Sequence, residues 1–205
     1  MRLLLATHNA KKRSEVARIL AEGAEGAKGA IELVTPSEVG LRLEPEETGS
    51  TFEKNALIKA RAFAARFEGL VLADDSGLEV DALGGAPGVR SARYAGPGAT
   101  DAQNRARLLK ALEGVPPERR TARFVCALAL VRGPFVVASI RGACEGRILE
   151  AERGLGGFGY DSLFFHPPSG LSFAELDPAE KDRYSHRGTA LRRLAESLER
   201  IGNGS

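Results

Sequence analysis

The sequence contains little cysteine and no tryptophan. Its two cysteines, Cys126 and Cys144, lie in or beside apolar runs and not at metal-ligand spacings. Such usage predicts neither a disulfide framework nor a cysteine metal site, so a reducing compartment is expected. The apolar run that follows Arg2 is too short for a signal peptide, and no stretch approaches the length of a membrane span. We therefore expect a cytoplasmic protein without a membrane partner.

The overall composition is that of a globular protein. The chain has 205 residues, of which 43% are hydrophobic and 27% are charged, so it is long enough to bury a sizeable core. The net charge of +2 neither requires nor excludes a nucleic-acid partner, and no block of like charges marks a tail. No internal repeat and no long linker divides the sequence, which predicts two lobes on one continuous sheet.

Two adjacent carboxylates follow an apolar run in the first half of the chain. Residues 71–73 predict the end of a buried strand, and they lead directly into Asp74, Asp75 and Ser76. Ligands of parallel-sheet proteins bind beyond the carboxyl ends of strands. Adjacent strand residues point to opposite faces, so the two carboxylates have different roles unless the chain turns between them, which Gly77 permits. A polar strand end that merely enters a loop is the alternative.

The N-terminal segment predicts a strand that runs into a helix. Residues 2–6 are apolar, and a helical pattern begins at about Ala10. Thr7 or Asn9 is the expected cap, and a helix N-terminus with Lys12 beside it is a common phosphate site. The glycines of a Walker loop are absent. A plain helix cap with solvated lysines fits this segment equally well.

An acidic connection and a long helix follow. The stretch 35–49 contains Glu46 and Glu47, whose oxygens suit a hard cation such as Mg²⁺, although acidic residues also simply keep loops soluble. A helix is predicted to start at Ser50 or Thr51. On this helix, Lys59 is a candidate phosphate contact. Alternatively, its aliphatic chain covers apolar surface while its ammonium group stays in water.

The second half of the chain predicts further strands and helices. Asp101 is the expected cap of a helix over 102–112. The apolar runs at 121–131 and 134–140 predict a hairpin, because Arg132-Gly133 separates them. Further short strands are predicted at 146–149 and 163–165.

A glycine-rich segment at 154–161 carries aromatic residues. Phe158 and Tyr160 stand between glycines, an arrangement that is able to stack a base while backbone groups read its edge. Glycine clusters also occur where the chain only turns. The segment is therefore suggestive of base binding but not specific for it.

Taken together, these segments resemble the Ham1 family, the inosine/xanthosine triphosphate pyrophosphatases. Eight motifs occur in the family's order and cover nearly the whole chain. They are Thr7-x-Asn9-x-x-Lys12, Glu47-Thr48-Gly49-x-Thr51-Phe52, Lys59-Ala60, Ala73-Asp74-Asp75-Ser76-Gly77-Leu78, Leu83-Gly84-Gly85-Ala86-Pro87-Gly88, Ser91-Ala92-Arg93-Tyr94, Gly157-Phe158-Gly159-Tyr160-Asp161 and Ser185-His186-Arg187.

The resemblance implies an α/β fold. An elongated mixed β-sheet with flanking helices is expected to form two lobes around a central nucleotide-binding cleft, as one ITPase-like domain over residues 1–205. It also implies a homodimer that depends on Mg²⁺ and has no nucleic-acid partner. The implied reaction cleaves non-standard purine nucleoside triphosphates (ITP, dITP and XTP) to the monophosphate and pyrophosphate, which keeps them out of DNA and RNA.

The resemblance also implies the residues of the site. Asp75 would orient or deprotonate the attacking water. His186 or Arg187 would donate a hydrogen bond to the oxygen at position 6 of the base. Metal ligands are expected at Glu46, Glu47 and Asp75. Substrate contacts are expected at Thr7, His8, Asn9, Lys12, Lys59, Ser76, Phe158, Gly159, Tyr160, Asp161, Lys181, His186 and Arg187.

Two positions depart from the family's pattern. Lys54 stands where members commonly have Glu, which leaves the metal to the remaining acidic residues if that Glu is a ligand. Ser162 stands where Pro is common, a change that affects loop rigidity more than chemistry. Two other functions stay open from the sequence: a nucleotide sensor without catalysis, and an Arg-rich nucleic-acid module, which no recognisable motif supports.

Overall fold

The computed structural model describes residues 2–23 and 32–202 of the chain. Its strands are β1 Arg2–Leu5, β2 Glu32–Val34, β3 Leu70–Val80, β4 Thr121–Arg132, β5 Phe135–Ile148, β6 Phe164–His166 and β7 Leu171–Ser172. Its α-helices are α1 Ala10–Gly23, α2 Phe52–Ala64, α3 Asp101–Ala111, α4 Pro178–Tyr184 and α5 His186–Gly202. Short 3-10 helices occupy Asp81–Leu83, Gly88–Arg93 and Pro117–Arg119.

The strands form one mixed sheet in the order β2-β1-β3-β4-β5-β6-β7. Strand β1 is parallel to β2 and to β3, whereas β6 is antiparallel to both β5 and β7. A two-residue turn joins β4 to its neighbour β5, as the predicted hairpin requires. The prediction of a separate strand at 146–149 is wrong, because residues 146–148 form the end of β5. The predicted α/β class with a mixed sheet and flanking helices is confirmed, while the central cleft stays a prediction.

Strand β3 is longer than the sequence suggests. The prediction that it ends at the two carboxylates is wrong, because the backbone stays extended from Leu70 to Val80. Asp74 and Asp75 therefore lie in the middle of a strand and point to opposite faces of it. Gly77 permits a turn, but the chain does not turn there.

The helix starts follow local hydrogen bonding. Thr51 caps α2, as predicted, since its side chain accepts a hydrogen bond from the Lys54 N–H. The cap of α3 is Thr100 and not the predicted Asp101. Thr100 and Gln103 form a reciprocal capping box, which satisfies one free N–H at each end of the first turn. The carboxylate of Asp101 is left to make another contact.

The described chain falls into two compact units, and each has its own core. Unit 1 comprises the described residues of 1–75, 126–142 and 187–205, and unit 2 comprises 76–125 and 143–186. In unit 1, residues of α1 and α5 pack on the sheet strands; this core contains Leu3, Leu5, Val16, Ile19, Leu70, Leu72, Cys126, Leu128, Leu130, Ala190, Leu191 and Leu194. The prediction of a single domain stays a prediction.

In unit 2 the core contains α3 residues and aromatic side chains. Its buried members are Leu78, Val80, Leu108, Leu112, Ala122, Phe124, Cys144, Ile148, Tyr160, Leu163, Phe164, Phe173 and Leu176.

Within residues 2–23 and 32–202, no helix has the length and apolar character needed to cross a membrane.

Candidate active site

In unit 1 an ammonium group connects two of the predicted acidic residues. The Nζ atom of Lys59 lies 3.0 Å from Oε1 of Glu47 and 3.3 Å from Oδ1 of Asp75. Burial alone would lower the pKa of Lys59, but the carboxylates around it outweigh burial and raise that pKa above its ordinary value. The predicted residues Glu47, Lys59 and Asp75 are thus brought together, with one cation between two anions.

Asp75 has a buried oxygen without a hydrogen-bond donor. The residue is only 7% exposed, and no donor among the described residues reaches its Oδ2 atom. A buried carboxylate oxygen that lacks a donor is costly, by roughly 1–3 kcal/mol or more. Burial also raises the pKa of Asp75 above its ordinary range, although Lys59 and Lys12 oppose that shift. This oxygen is therefore suited to an additional partner such as a cation or a water.

Asp74, the neighbouring carboxylate, accepts hydrogen bonds on both of its oxygens. The Lys12 ammonium contacts its Oδ1, while Nε of Arg187 at 3.3 Å and the thiol of Cys126 at 3.1 Å both reach Oδ2. Burial would raise the pKa of Asp74, but Lys12 and Arg187 together hold it well below its ordinary value. Asp74 therefore stays ionised and serves as a brace for the cationic groups around it.

Glu15, which no motif of the sequence marks, completes this network. Its carboxylate accepts a charge-assisted hydrogen bond from Nη1 of Arg187. Arg187 is 1% exposed, and its pKa is raised because Asp74 and Glu15 outweigh burial. The one sequence cue is that Glu15 lies three residues after Lys12, which places both on the same face of α1.

The predicted N-terminal phosphate segment is organised by Asn9. Its Oδ1 accepts hydrogen bonds from the N–H groups of Lys11 and Lys12, at 3.0 Å and 3.1 Å, so Asn9 caps α1. Thr7 accepts from the N–H of Asn9, and the ring of His8 contacts the Leu43 carbonyl at 2.9 Å. Since the amide side chain already takes these helix N–H groups, the positive charge of this segment resides mainly in the lysine ammonium groups.

The predicted metal ligands are only partly assembled. Across residues 2–23 and 32–202, no three His, Cys, Asp or Glu side chains are grouped so as to hold a metal ion. Glu47 and Asp75 meet at Lys59, whereas Glu46 is exposed. Two carboxylates still fit Mg²⁺, which commonly uses one or two protein carboxylates together with substrate phosphates and water. The donor-free Oδ2 of Asp75 is the observation that supports this fit.

Asn55 is a further polar residue near Lys59 that is not among the predicted site residues. It is fully buried on α2, one turn before Lys59, and its Oδ1 accepts from the Gly49 N–H at 2.8 Å. Its Nδ2 has no acceptor among the described residues. The three-and-four spacing on a helix, which places Asn55 and Lys59 on one face, is the cue available in the sequence.

Unit 2 contains a second group of predicted residues on the glycine-rich loop. The Lys181 ammonium lies 4.7 Å from the centre of the Phe158 ring and donates to Oδ2 of Asp161 at 2.7 Å. The same Oδ2 accepts from the Phe158 N–H at 2.8 Å. Asp161 thus fixes both the aromatic residue and the ammonium over its ring, and a cation over an aromatic face is itself favourable.

Gly157 is required by this arrangement. Its φ is +72°, and a Cβ atom there would lie 2.2 Å from Oδ2 of Asp161. Gly159 also has a positive φ, +61°, but a Cβ atom at that position would meet nothing within 4 Å. Of the two glycines that flank Phe158, only Gly157 therefore combines a left-handed backbone with a steric need for the missing side chain.

Tyr160 and His186, two further predicted residues of unit 2, are buried. Tyr160 is 4% exposed, and its hydroxyl donates to the Ser91 carbonyl at 2.8 Å. The ring of His186 is stacked on Phe124, with centroids 4.9 Å apart and planes inclined by 16°. Ser76 is partly exposed on β3. Of the two aromatic residues predicted to stack a base, Phe158 is the more accessible.

Comparison with known proteins gives consistent matches over the full chain. The Ham1 family model matches residues 3–197. A dITP/XTP pyrophosphatase of Geobacillus kaustophilus is 48% identical, with 98% of this chain and 96% of the relative covered. One from Pseudomonas syringae pv. tomato is 50% identical, with 96% of each chain covered. A solved HAM1 protein from Coxiella burnetii is 41% identical, with a TM-score of 0.86 over 98% of this chain and 99% of that one. The chain therefore belongs to the Ham1 family.

Proposed function

We propose that this protein is a nucleoside triphosphate pyrophosphohydrolase. Its substrates are non-standard purine nucleotides, namely dITP, ITP and XTP, and its products are the nucleoside monophosphate and pyrophosphate. The names of the relatives support this substrate class. The observation that carries the proposal is Asp75, a buried carboxylate with one oxygen on Lys59 and the other without a donor.

Asp75 is the residue that acts on water in this proposal. Its donor-free oxygen is an acceptor that is able to hold and orient a water for attack on phosphorus. A carboxylate is a weak base, so positioning supplies most of the rate acceleration. Asp74 does not take part, since its oxygens are already occupied by Lys12, Arg187 and Cys126.

The triphosphate is bound by the cations of unit 1. Lys12 and Lys59 each contact one carboxylate of β3, which holds their ammonium groups in place without removing their charge. Charge-assisted hydrogen bonds from such groups to phosphate oxygens are stronger than neutral ones. Thr7, His8 and Asn9 complete this part of the proposed site, together with Ser76 as a phosphate or sugar contact.

A divalent cation, Mg²⁺, is the proposed cofactor, with Asp75 and Glu47 as its protein ligands and Glu46 as a further candidate. When bound, it would neutralise charge on the phosphates and on the pyrophosphate leaving group. Chelation of divalent cations with EDTA is expected to abolish turnover, and added Mg²⁺ is expected to restore it. Full activity in EDTA would contradict this part of the proposal.

The purine base is bound by the loop residues of unit 2. Phe158 supplies the stacking surface, and Gly159, Tyr160 and Asp161 shape the loop. Lys181 and His186 are candidate donors to the oxygen at position 6, where adenine has an amino group. A mismatched buried donor costs roughly 1–3 kcal/mol, enough for about fivefold to 150-fold discrimination. Arg187 stays a predicted base contact, although its guanidinium contacts Glu15 and Asp74 in the described structure.

The family resemblance also supports a homodimer in the cytoplasm that protects nucleic acids by removing these precursors and does not itself bind DNA or RNA.

The experiment that tests the function is a specificity profile. Turnover with Mg²⁺ is measured for ITP, dITP, XTP, GTP and ATP, and kcat/KM is expected to be highest for the first three. Equal values for ATP and ITP would contradict the proposed substrate class. Binding of ITP without any turnover would instead indicate a nucleotide sensor.

A further inference from the structure

Two residues of α3 hold the peptide groups of Gly159 in the loop that carries Phe158. We propose that Asp101 and Arg105, here named the α3 clamp, are positioning residues that set the place of the Phe158 ring and thereby the affinity and selectivity for the base. The role in base binding rests on the function proposed above. The clamp itself rests on contacts within unit 2 alone.

The clamp contacts both sides of one residue. The Gly159 N–H donates to Oδ2 of Asp101 at 2.8 Å, and Nη1 of Arg105 donates to the Gly159 carbonyl at 2.9 Å. Both residues lie on α3, one turn apart, because Asp101 and Arg105 are separated by four positions. A helix is a rigid platform, so the two contacts fix the backbone of Gly159 at two points.

Arg105 is itself held in place. Its Nε lies 2.9 Å from Oε2 of Glu152, and the hydroxyl of Ser162 donates to the same oxygen at 2.8 Å. These two contacts outweigh burial and lower the pKa of Glu152, so the carboxylate stays ionised as a partner for the guanidinium. The guanidinium of Arg105 is therefore supported by Glu152, which is in turn held by Ser162.

The loop needs such external contacts because of its glycine content. Gly154, Gly156, Gly157 and Gly159 have more backbone freedom than other residues, so ordering the loop costs more conformational entropy. Phe158 lies between two of these glycines, and its N–H is held by Asp161 on one side. The α3 clamp holds the other side, through Gly159. Release of the clamp would leave the Phe158 ring free to move relative to Lys181.

The sequence offers matched variants for a test. Asp101→Ala removes the acceptor for the Gly159 N–H, whereas Asp101→Asn keeps an oxygen that is able to accept it. Arg105→Ala removes the donor, and Arg107→Ala makes the same change at an exposed position of the same helix. Thermal unfolding of each variant shows whether the fold is retained.

The first measurement is amide hydrogen exchange of peptides spanning 157–161, without nucleotide. Asp101→Ala and Arg105→Ala are each expected to raise exchange there by about fivefold or more, the factor for loss of one hydrogen bond. Asp101→Asn and Arg107→Ala are expected to match the wild type. Because this readout needs no substrate, unchanged exchange in Asp101→Ala and Arg105→Ala would overturn the clamp whatever the activity of the protein.

The second measurement is steady-state kinetics with dITP and ATP. Asp101→Ala and Arg105→Ala are expected to raise KM for dITP about fivefold and to reduce the preference over ATP, with kcat changed less than about twofold. Asp101→Asn is expected to restore both values. Faster exchange with unaltered KM and preference would overturn the positioning role. A wild-type protein that hydrolyses no purine triphosphate would overturn the proposed function. The exchange data would still show whether Asp101 and Arg105 hold the loop.

Discussion

In unit 1 the candidate functional groups are carboxylates and ammonium groups on a buried strand, on helices and on the loop that carries Glu47, whereas in unit 2 they centre on a glycine-rich loop. The first group is held by ion pairs among side chains, such as Lys59 with Glu47 and Asp75. The second is held through its backbone, by Asp161 on Phe158 and by Asp101 and Arg105 on Gly159. In unit 1, removal of one charged group should therefore have a large effect on activity or stability. In unit 2, activity should depend mainly on the backbone geometry of the loop.

Within unit 1, two neighbouring carboxylates differ in their surroundings. Asp74 and Asp75 point to opposite faces of β3, and their pKa values are shifted in opposite directions. Lys12, Arg187 and Cys126 donate to Asp74, whereas Oδ2 of Asp75 has no donor among the described residues. One carboxylate thus stabilises the structure, and the other is available for chemistry.

The largest effect is expected for Asp75→Asn. The amide is a poor acceptor for a proton from water, and it carries no charge to hold a cation, so kcat is expected to fall by about a thousandfold. The fold should persist, because Glu47 remains as a partner for Lys59. Pyrophosphate release and thermal unfolding measure the two effects. Activity near that of the wild type would remove Asp75 from its assigned role.

Asp74→Asn should act on stability instead. It removes the anion that the half-buried Lys12 and the buried Arg187 share, and loss of one partner of a buried ion pair such as Arg187–Asp74 costs about 3–5 kcal/mol. Urea unfolding measures the loss, and Asp75→Asn is the matched control with the same substitution one residue away. If the two variants were equally stable, the proposed division between the carboxylates would be wrong.

Two glycine substitutions test the backbone control in unit 2. In Gly157→Ala the new methyl group displaces the Asp161 carboxylate, whose charged hydrogen bond to Lys181 is lost, so KM for dITP should rise about tenfold or more. Gly159→Ala introduces only backbone strain of about 1–2 kcal/mol, and KM should stay within about threefold. A larger rise for Gly159→Ala than for Gly157→Ala would contradict this role of Asp161.

The smallest effect concerns the buried thiol of Cys144 in unit 2. Burial raises its pKa from 9.0 to about 12, so above pH 9 the unfolded chain releases a proton that the folded chain retains. Stability should then fall as pH rises from 9, by at most about 1.4 kcal/mol per pH unit. Urea unfolding at pH 8 and pH 10 measures the slope, and Cys144→Ala should make it shallower. Identical slopes for the wild type and Cys144→Ala would show that this thiol has the same pKa in the folded and unfolded states.

The sequence predicted which side chains of unit 1 lie together better than it predicted the path of the backbone. The separate strands and the start of α2 follow from apolar periodicity and capping residues, which are local properties, whereas the mixed sheet was implied by the family resemblance. The meeting of Glu47, Lys59 and Asp75 was anticipated as a set of phosphate and metal ligands. Gly77 permits a turn without requiring one, so the sequence could not show that β3 continues beyond the carboxylates.

Contacts between distant segments could not be predicted in the same way. The ion pair of Glu15 with Arg187 joins residues at opposite ends of the chain. The hydrogen bond from the Gly159 N–H to Asp101 depends on a backbone group, which no side-chain motif reveals. Asp101 was expected to cap α3, and only the capping box of Thr100 with Gln103 shows that its carboxylate is available for the loop.

Product analysis with purified protein, dITP and Mg²⁺ tests the central claim most directly. Chromatographic separation of the nucleotides, combined with separate assays for pyrophosphate and orthophosphate, identifies the bond that is broken. The proposed function predicts equal amounts of dIMP and pyrophosphate, without orthophosphate, and almost no product from Asp75→Asn. Formation of dIDP with orthophosphate, or equal turnover by the variant, would contradict it.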